Sequence, residues 1–155
     1  LKTNLPKEIL DEVADIRVLA LGVATEKVKD LVDKYSQECE MKFEKPFNEY
    51  NKHWYSIADK VPAHIKENYN FHDCAILKMT KCGNDIVFEL DNSGGFTNKI
   101  IYKDAEILEN NFVEGCYWIY DEMYLCDKGY ECHIAVDGEN GYDYITLQAS
   151  DVIFE

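Results

Sequence analysis

Only one base, Lys128, falls in the last 52 residues of this 155-residue chain, against thirteen Asp and Glu. That segment, Asp104 to Glu155, carries −12 of a formal net charge of −14, while residues 1 to 103 are nearly neutral. Phosphate-backbone binding draws on clustered Lys and Arg, so no nucleic-acid partner is expected. No apolar run approaches the roughly 20 residues that a membrane-spanning helix needs, and no signal-peptide pattern opens the chain. A cytoplasmic protein with no membrane partner is the expectation. The six cysteines (Cys39, Cys74, Cys82, Cys116, Cys126 and Cys132) include no C-x-x-C pair. Reduced thiols, several packed as small apolar groups, follow from that.

What is present is enough apolar and aromatic material, 46% and 13%, for a packed core in 18.0 kDa. The uneven charge has two readings. Carboxylates crowded on one segment keep a protein solvated, or they project a negative field that attracts cations and basic proteins.

Two periodicities divide the chain. From Pro6 to Gly22 the apolar positions Ile9, Val13, Ile16 and Ala20 define one helical face, broadened by Leu10, Val18, Leu19 and Leu21. This spacing predicts a single buried helix closed by Gly22. Thr25 suits the N-cap of a longer helix that runs to about residue 60. Its seam is Val28, Leu31, Val32, Tyr35, Cys39, Phe43, Phe47, Tyr50, Trp54, Ile57 and Val61. Pro46 should kink or divide it. So long a seam packs on the chain's own core or on a second copy, a homo-oligomer through this helix.

After a connector from Pro62 to Asn70 the period becomes two. Strands are predicted at 72–82, 85–91, 97–103, 105–109, 116–126, 130–137, 142–149 and 151–155, parted by turn-forming residues. The class is α+β: helices over residues 1–70 packing on an antiparallel β segment over 71–155, in one structural domain. Short gaps favour a hairpin meander, open or curled into a partial barrel.

Several constellations invite a chemical reading. His72 and Asp73, with His133, could serve as metal ligands or an acid–base set for a hydrolase or small-ligand protein. Strand neighbours point to opposite faces, however, so His72 and Asp73 fit better as residues that fix the helix-to-sheet junction. Cys74 and Cys132 each lie near a histidine, but nothing marks either as an activated thiolate. Asn92-Ser93-Gly94-Gly95-Phe96 joins two strands without a following Lys-Ser or Lys-Thr, so it reads as a hairpin turn and not a phosphate loop. Asp137, Glu139 and Asp143 are calcium-type ligands without EF-hand spacing. No metal site and no cofactor are expected.

Residues 116–126 have the most unusual composition. Strict alternation places Trp118, Tyr120, Glu122 and Tyr124 on one face and Tyr117, Ile119, Asp121, Met123 and Leu125 on the other. The first face reads as an aromatic surface with an acidic centre; the second reads mainly as core. The expectation is a non-catalytic interaction module of the inhibitor or immunity-protein kind, docking a basic protein such as a nuclease toxin. Trp118, Tyr120 and Tyr124 would anchor it, while Asp121, Glu122 and Glu131 steer.

Leu5-Pro6-Lys7-Glu8-Ile9-Leu10, Val13-Ala14-Asp15-Ile16-Arg17 with Leu21-Gly22, Phe71-His72-Asp73-Cys74, and Asp91 through Asn98 together resemble a bacterial family of unknown function common in Firmicutes. The resemblance runs through essentially the whole chain. It implies a bacterial cytosolic protein and supplies no catalytic residues; members of the family carry further helical sequence ahead of the Leu-Pro element, so this chain looks like an N-terminally shortened member.

Overall fold

A computed structural model describes residues 5–91, 97–138 and 141–155. It divides into two compact units, one reaching to Glu49 and one from Tyr50 to Glu155.

In the first unit the expected single helix is two short ones, α1 (Lys7–Leu10) and α2 (Ile16–Ala20). Asp15 causes the restart. Its backbone is extended, and its carboxylate accepts the Arg17 N–H at 2.9 Å, so it caps α2 instead of continuing α1. Gly22, at φ +69°, follows the end of α2. The expected broad buried face is not formed. Among the described side chains of α1 and α2 only Ile9 is buried, and Leu21 just beyond is exposed.

α3 (Glu26–Ile57) begins where Thr25 accepts the Val28 N–H, and Pro46 does not divide it. Its seam is covered at both ends, at Val28 and Ile57, but Phe43 and Phe47 are exposed. The chain continues as a 3-10 turn, Ala58–Lys60, and then α4 (Ala63–Asn68).

In the second unit all eight predicted strands form: β1 (Ala75–Cys82), β2 (Asp85–Asp91), β3 (Lys99–Lys103), β4 (Glu106–Asn110), β5 (Cys116–Cys126), β6 (Gly129–Gly138), β7 (Gly141–Ala149) and β8 (Asp151–Phe154). Alternation explains them. In β6, Tyr130, Cys132, Ile134 and Val136 are buried, with polar residues or Ala135 between. Every pairing is antiparallel, in the order β4-β7-β6-β5-β1-β2-β3-β8.

The sheet is not closed into a barrel, for β4 and β8 are edges. Nor is it one meander. β1-β2-β3 and β5-β6-β7 are meanders joined by only two β1–β5 pairs, and β4 and β8 exchange sides. The exchange occurs at two bends that bond to each other, since Ser150 donates its N–H (2.9 Å) and hydroxyl (3.2 Å) to the Lys103 carbonyl. Asp104, at φ +46°, is held by its N–H to Asp85 Oδ1. Gly129, at φ +139°, abuts the second bend; a Cβ there would lie 2.8 Å from the Ala149 carbonyl oxygen. The inner faces share one core with Ile57, Val61 and Ile65, and its largest fully buried side chains include Trp118, Tyr102, Phe71 and Phe88.

Candidate functional site

The site grows from β5, which departs from strict alternation. Trp118 pairs with Val136, but Tyr120 pairs with Ala135, so Ile119 is an extra residue and the strand is bulged there. The bulge reverses parity. Trp118, expected outside with Tyr120, is fully buried. Asp121 and Met123 also face inward, opposite Ile134 and Cys132. Tyr117 and Leu125, expected in the core, are exposed.

The outer face is assembled rung by rung. Tyr120 lies opposite Ala135 and, beyond it, Tyr144. Glu122, His133, Thr146 and Glu109 form the next rung; Tyr124, Glu131, Gln148 and Glu106 form the one after. At the other end Asp137 pairs with Tyr142. Five carboxylates and four tyrosines thus share one side of four strands. Lys128, the only base in this part of the chain, is tied to Glu106 at 3.9 Å.

Side-chain bonds order this face. The Tyr124 hydroxyl donates to Glu122 at 2.6 Å, and Glu131 takes His133 Nε2 and Gln148 Nε2, each at 2.7 Å. Gln148 and then His133 hold the Glu131 carboxyl below its ordinary range. From α3, Tyr50 packs edge-on against Tyr120 and Tyr124, and the His53 ring lies 4.6 Å from that of Tyr124. Tyr124 is therefore partly covered, whereas Tyr142 and Tyr144 are 58% and 47% exposed.

On the inner side of β5 the half-buried Asp121 accepts Trp118 Nε1–H at 2.8 Å. Burial pushes its carboxyl up to about 6, against the opposing Trp118 bond. A pocket of about 270 Å³ opens beside it, walled by Tyr50, Trp54, Tyr69 and Met123 among others. The Tyr50 hydroxyl accepts the Met123 N–H at 2.8 Å and so pins the last part of α3, from Tyr50 on, to β5.

The remaining sequence candidates disperse. His72 and Asp73 precede β1, in a turn closed by the Cys74 N–H to the Phe71 carbonyl, with Asp73 at φ +66°. They contact each other at 3.1 Å on the surface, and the Asp73 N–H donates to the Trp118 carbonyl. The junction role falls to that backbone bond. Among the described residues no three His, Cys, Asp or Glu side chains gather as a metal-ligand set, so His72, Asp73 and His133 do not form one. Cys74 and Cys132 are buried, and burial raises both thiols, Cys132 to about 12; neither is an activated thiolate. Asp137 accepts the Tyr117 N–H. Glu139 and the Asn92–Phe96 turn lie outside the described residues.

Sequence reasoning missed Tyr142 and Tyr144 as face residues, although their period-two spacing could have given them. It placed Tyr50 and Trp54 only in a helical seam, and no sequence signal ties them to Asp121. The model of a family described as "Protein of unknown function (DUF4085)" matches residues 1–144. No curated protein and no solved structure matches the chain.

Proposed function

We propose that this chain, which belongs to the DUF4085 family of proteins of unknown function, is a non-catalytic interaction module of the inhibitor or immunity-protein kind. It docks a basic protein on the outer face of β5, β6, β7 and β4. The observation that carries this reading is the composition of one continuous face: Glu106, Glu109, Glu122, Glu131 and Asp137 interleaved with Tyr120, Tyr124, Tyr142 and Tyr144. Tyrosines give rigid contact area at little entropic cost, and carboxylates of one sign steer a cationic partner. With Trp118 and Asp121 turned inward, Tyr120, Tyr142 and Tyr144 are the exposed anchors. A bacterial cytoplasm is part of the proposal, because that is where six free cysteines stay reduced.

Capture of partners on wild-type and Tyr144→Ala bait, with salt elution, tests this. A basic protein held by wild type and lost from the variant is the expected result. Its association rate should fall at least roughly tenfold between low and high ionic strength. A rate unchanged by salt would rule the steering out.

The exposed Phe43 and Phe47 of α3 favour a second association, with another copy of the chain along the helical seam. Light scattering should then show mass rising with concentration; monomer throughout would remove that reading.

A further inference from the structure

The pocket beside Asp121 serves no part of the interaction face. Its wall contains two opposite charges: Asp121 from β5 and Lys66 from α4, with Asn51 and Trp54 of α3 beside them. One Asp121 oxygen is taken by Trp118. Among the described residues no donor reaches the other, and the side chains of Lys66, Asn51 and Trp54 have no hydrogen-bond or ion-pair partner. In a larger hollow of about 460 Å³ near the β3–β4 bend both acids are already partnered. There Lys128 pairs with Glu106 and Asp104 bonds Asn84.

We infer that the Asp121 pocket binds a small zwitterion bearing one ammonium and one carboxylate, the chemistry of a free α-amino acid. A half-buried carboxylate without a full set of donors attracts an ammonium, which relieves its desolvation. The rings of Tyr50, Trp54 and Tyr69 line the same pocket, the residue types that attract a cation and give apolar contact to a side chain. Lys66, with the Asn51 amide and the Trp54 N–H, supplies donors for a carboxylate. A bare cation meets repulsion from Lys66 and a bare anion meets repulsion from Asp121, so the pair selects a ligand with both charges. The volume accommodates a molecule of that size.

The chain's two tryptophans report on this pocket directly, Trp54 from its wall and Trp118 through Asp121. The experiment titrates the whole chain with each free amino acid and follows tryptophan emission and melting temperature. For the best ligand it then compares the amine lacking the carboxylate and the acid lacking the amine. The expected result is saturable emission change with at least one amino acid. The melting temperature should rise by roughly 4 °C at a concentration about twentyfold above Kd. Asp121→Asn should weaken binding at least about tenfold, Lys66→Met several-fold, and both truncated analogues should bind more weakly than the parent. No response to any amino acid, an unchanged affinity in Asp121→Asn, or an amine that binds as tightly as its zwitterion would overturn the inference. Asp121→Asn retains the acceptor for Trp118, and its cooperative melting separates lost binding from lost folding.

Discussion

Replacement of Trp118 by Ala should lower the melting temperature by about 10 °C or abolish cooperative unfolding, a loss of roughly 3–5 kcal/mol. The ring is fully buried, with the Phe71, Tyr69 and Phe88 centroids at 5.2, 5.8 and 6.3 Å. Truncation leaves a cavity among packed aromatics and removes the donor that Asp121 accepts at 2.8 Å. A domain of this size holds only about 5–15 kcal/mol in total, so the loss is a large fraction of it. Trp118→Phe keeps most of the volume and should cost less than half as much. The measurement discriminates between two placements of one residue. Strict alternation puts Trp118 on the outer face, where truncation would impair partner binding and leave stability within about 0.5 kcal/mol of wild type. A small stability change would therefore refute the buried placement.

That residue also marks where the sequence stops being legible. All eight strands follow from alternation and turn residues, because each face meets a uniform environment over four to eleven residues. The Ile119 bulge has no signature in the sequence. Tyr117 through Tyr124 alternate well in either phase, so only cross-strand pairing with β6 fixes which rings go inside. The split of the first helix was concealed for a related reason. Asp15 is compatible with a helical interior by spacing, yet its carboxylate competes for the Arg17 N–H and starts a new helix. The exchange of β4 and β8 between sides was hidden as well. Two residues part β3 from β4 and one parts β7 from β8, the lengths of tight turns; the Lys103–Ser150 bonds make them bends.

The candidate site was legible to the same depth. Glu122, Tyr124, Glu131 and His133 lie on one face because strand parity after the bulge is intact, and β5–β6 register sets them opposite each other. Part of the acidic excess of the last 52 residues becomes a surface property for the same reason, since the outward positions of those strands hold five of its thirteen carboxylates. The Asp121 pocket was not legible. It depends on α3 and α4 meeting an inward-facing residue some fifty positions and more away in sequence, a tertiary coincidence.

Asp121→Asn should stabilise the protein in a pH-dependent way. Burial raises the Asp121 carboxyl to about 6 from its ordinary 3.8. The folded chain therefore holds that proton more tightly than the unfolded chain does. Stability from this group is complete below pH ~4, is lost as the pH rises through ~6, and stays lost above that. The shift corresponds to roughly 2–3 kcal/mol in full. The neutral amide retains an oxygen for Trp118 Nε1–H but buries an amino group that finds no acceptor, which offsets part of the gain. A net advantage of about 1–2 kcal/mol at pH 8, or some 2–6 °C, should shrink to nothing or change sign at pH 4. Melting curves of both proteins across pH 4–8 measure the gap, and taking the difference cancels every titration the two chains share. A gap that stays constant across the series would show that the carboxyl ionises in the folded state as it does in water.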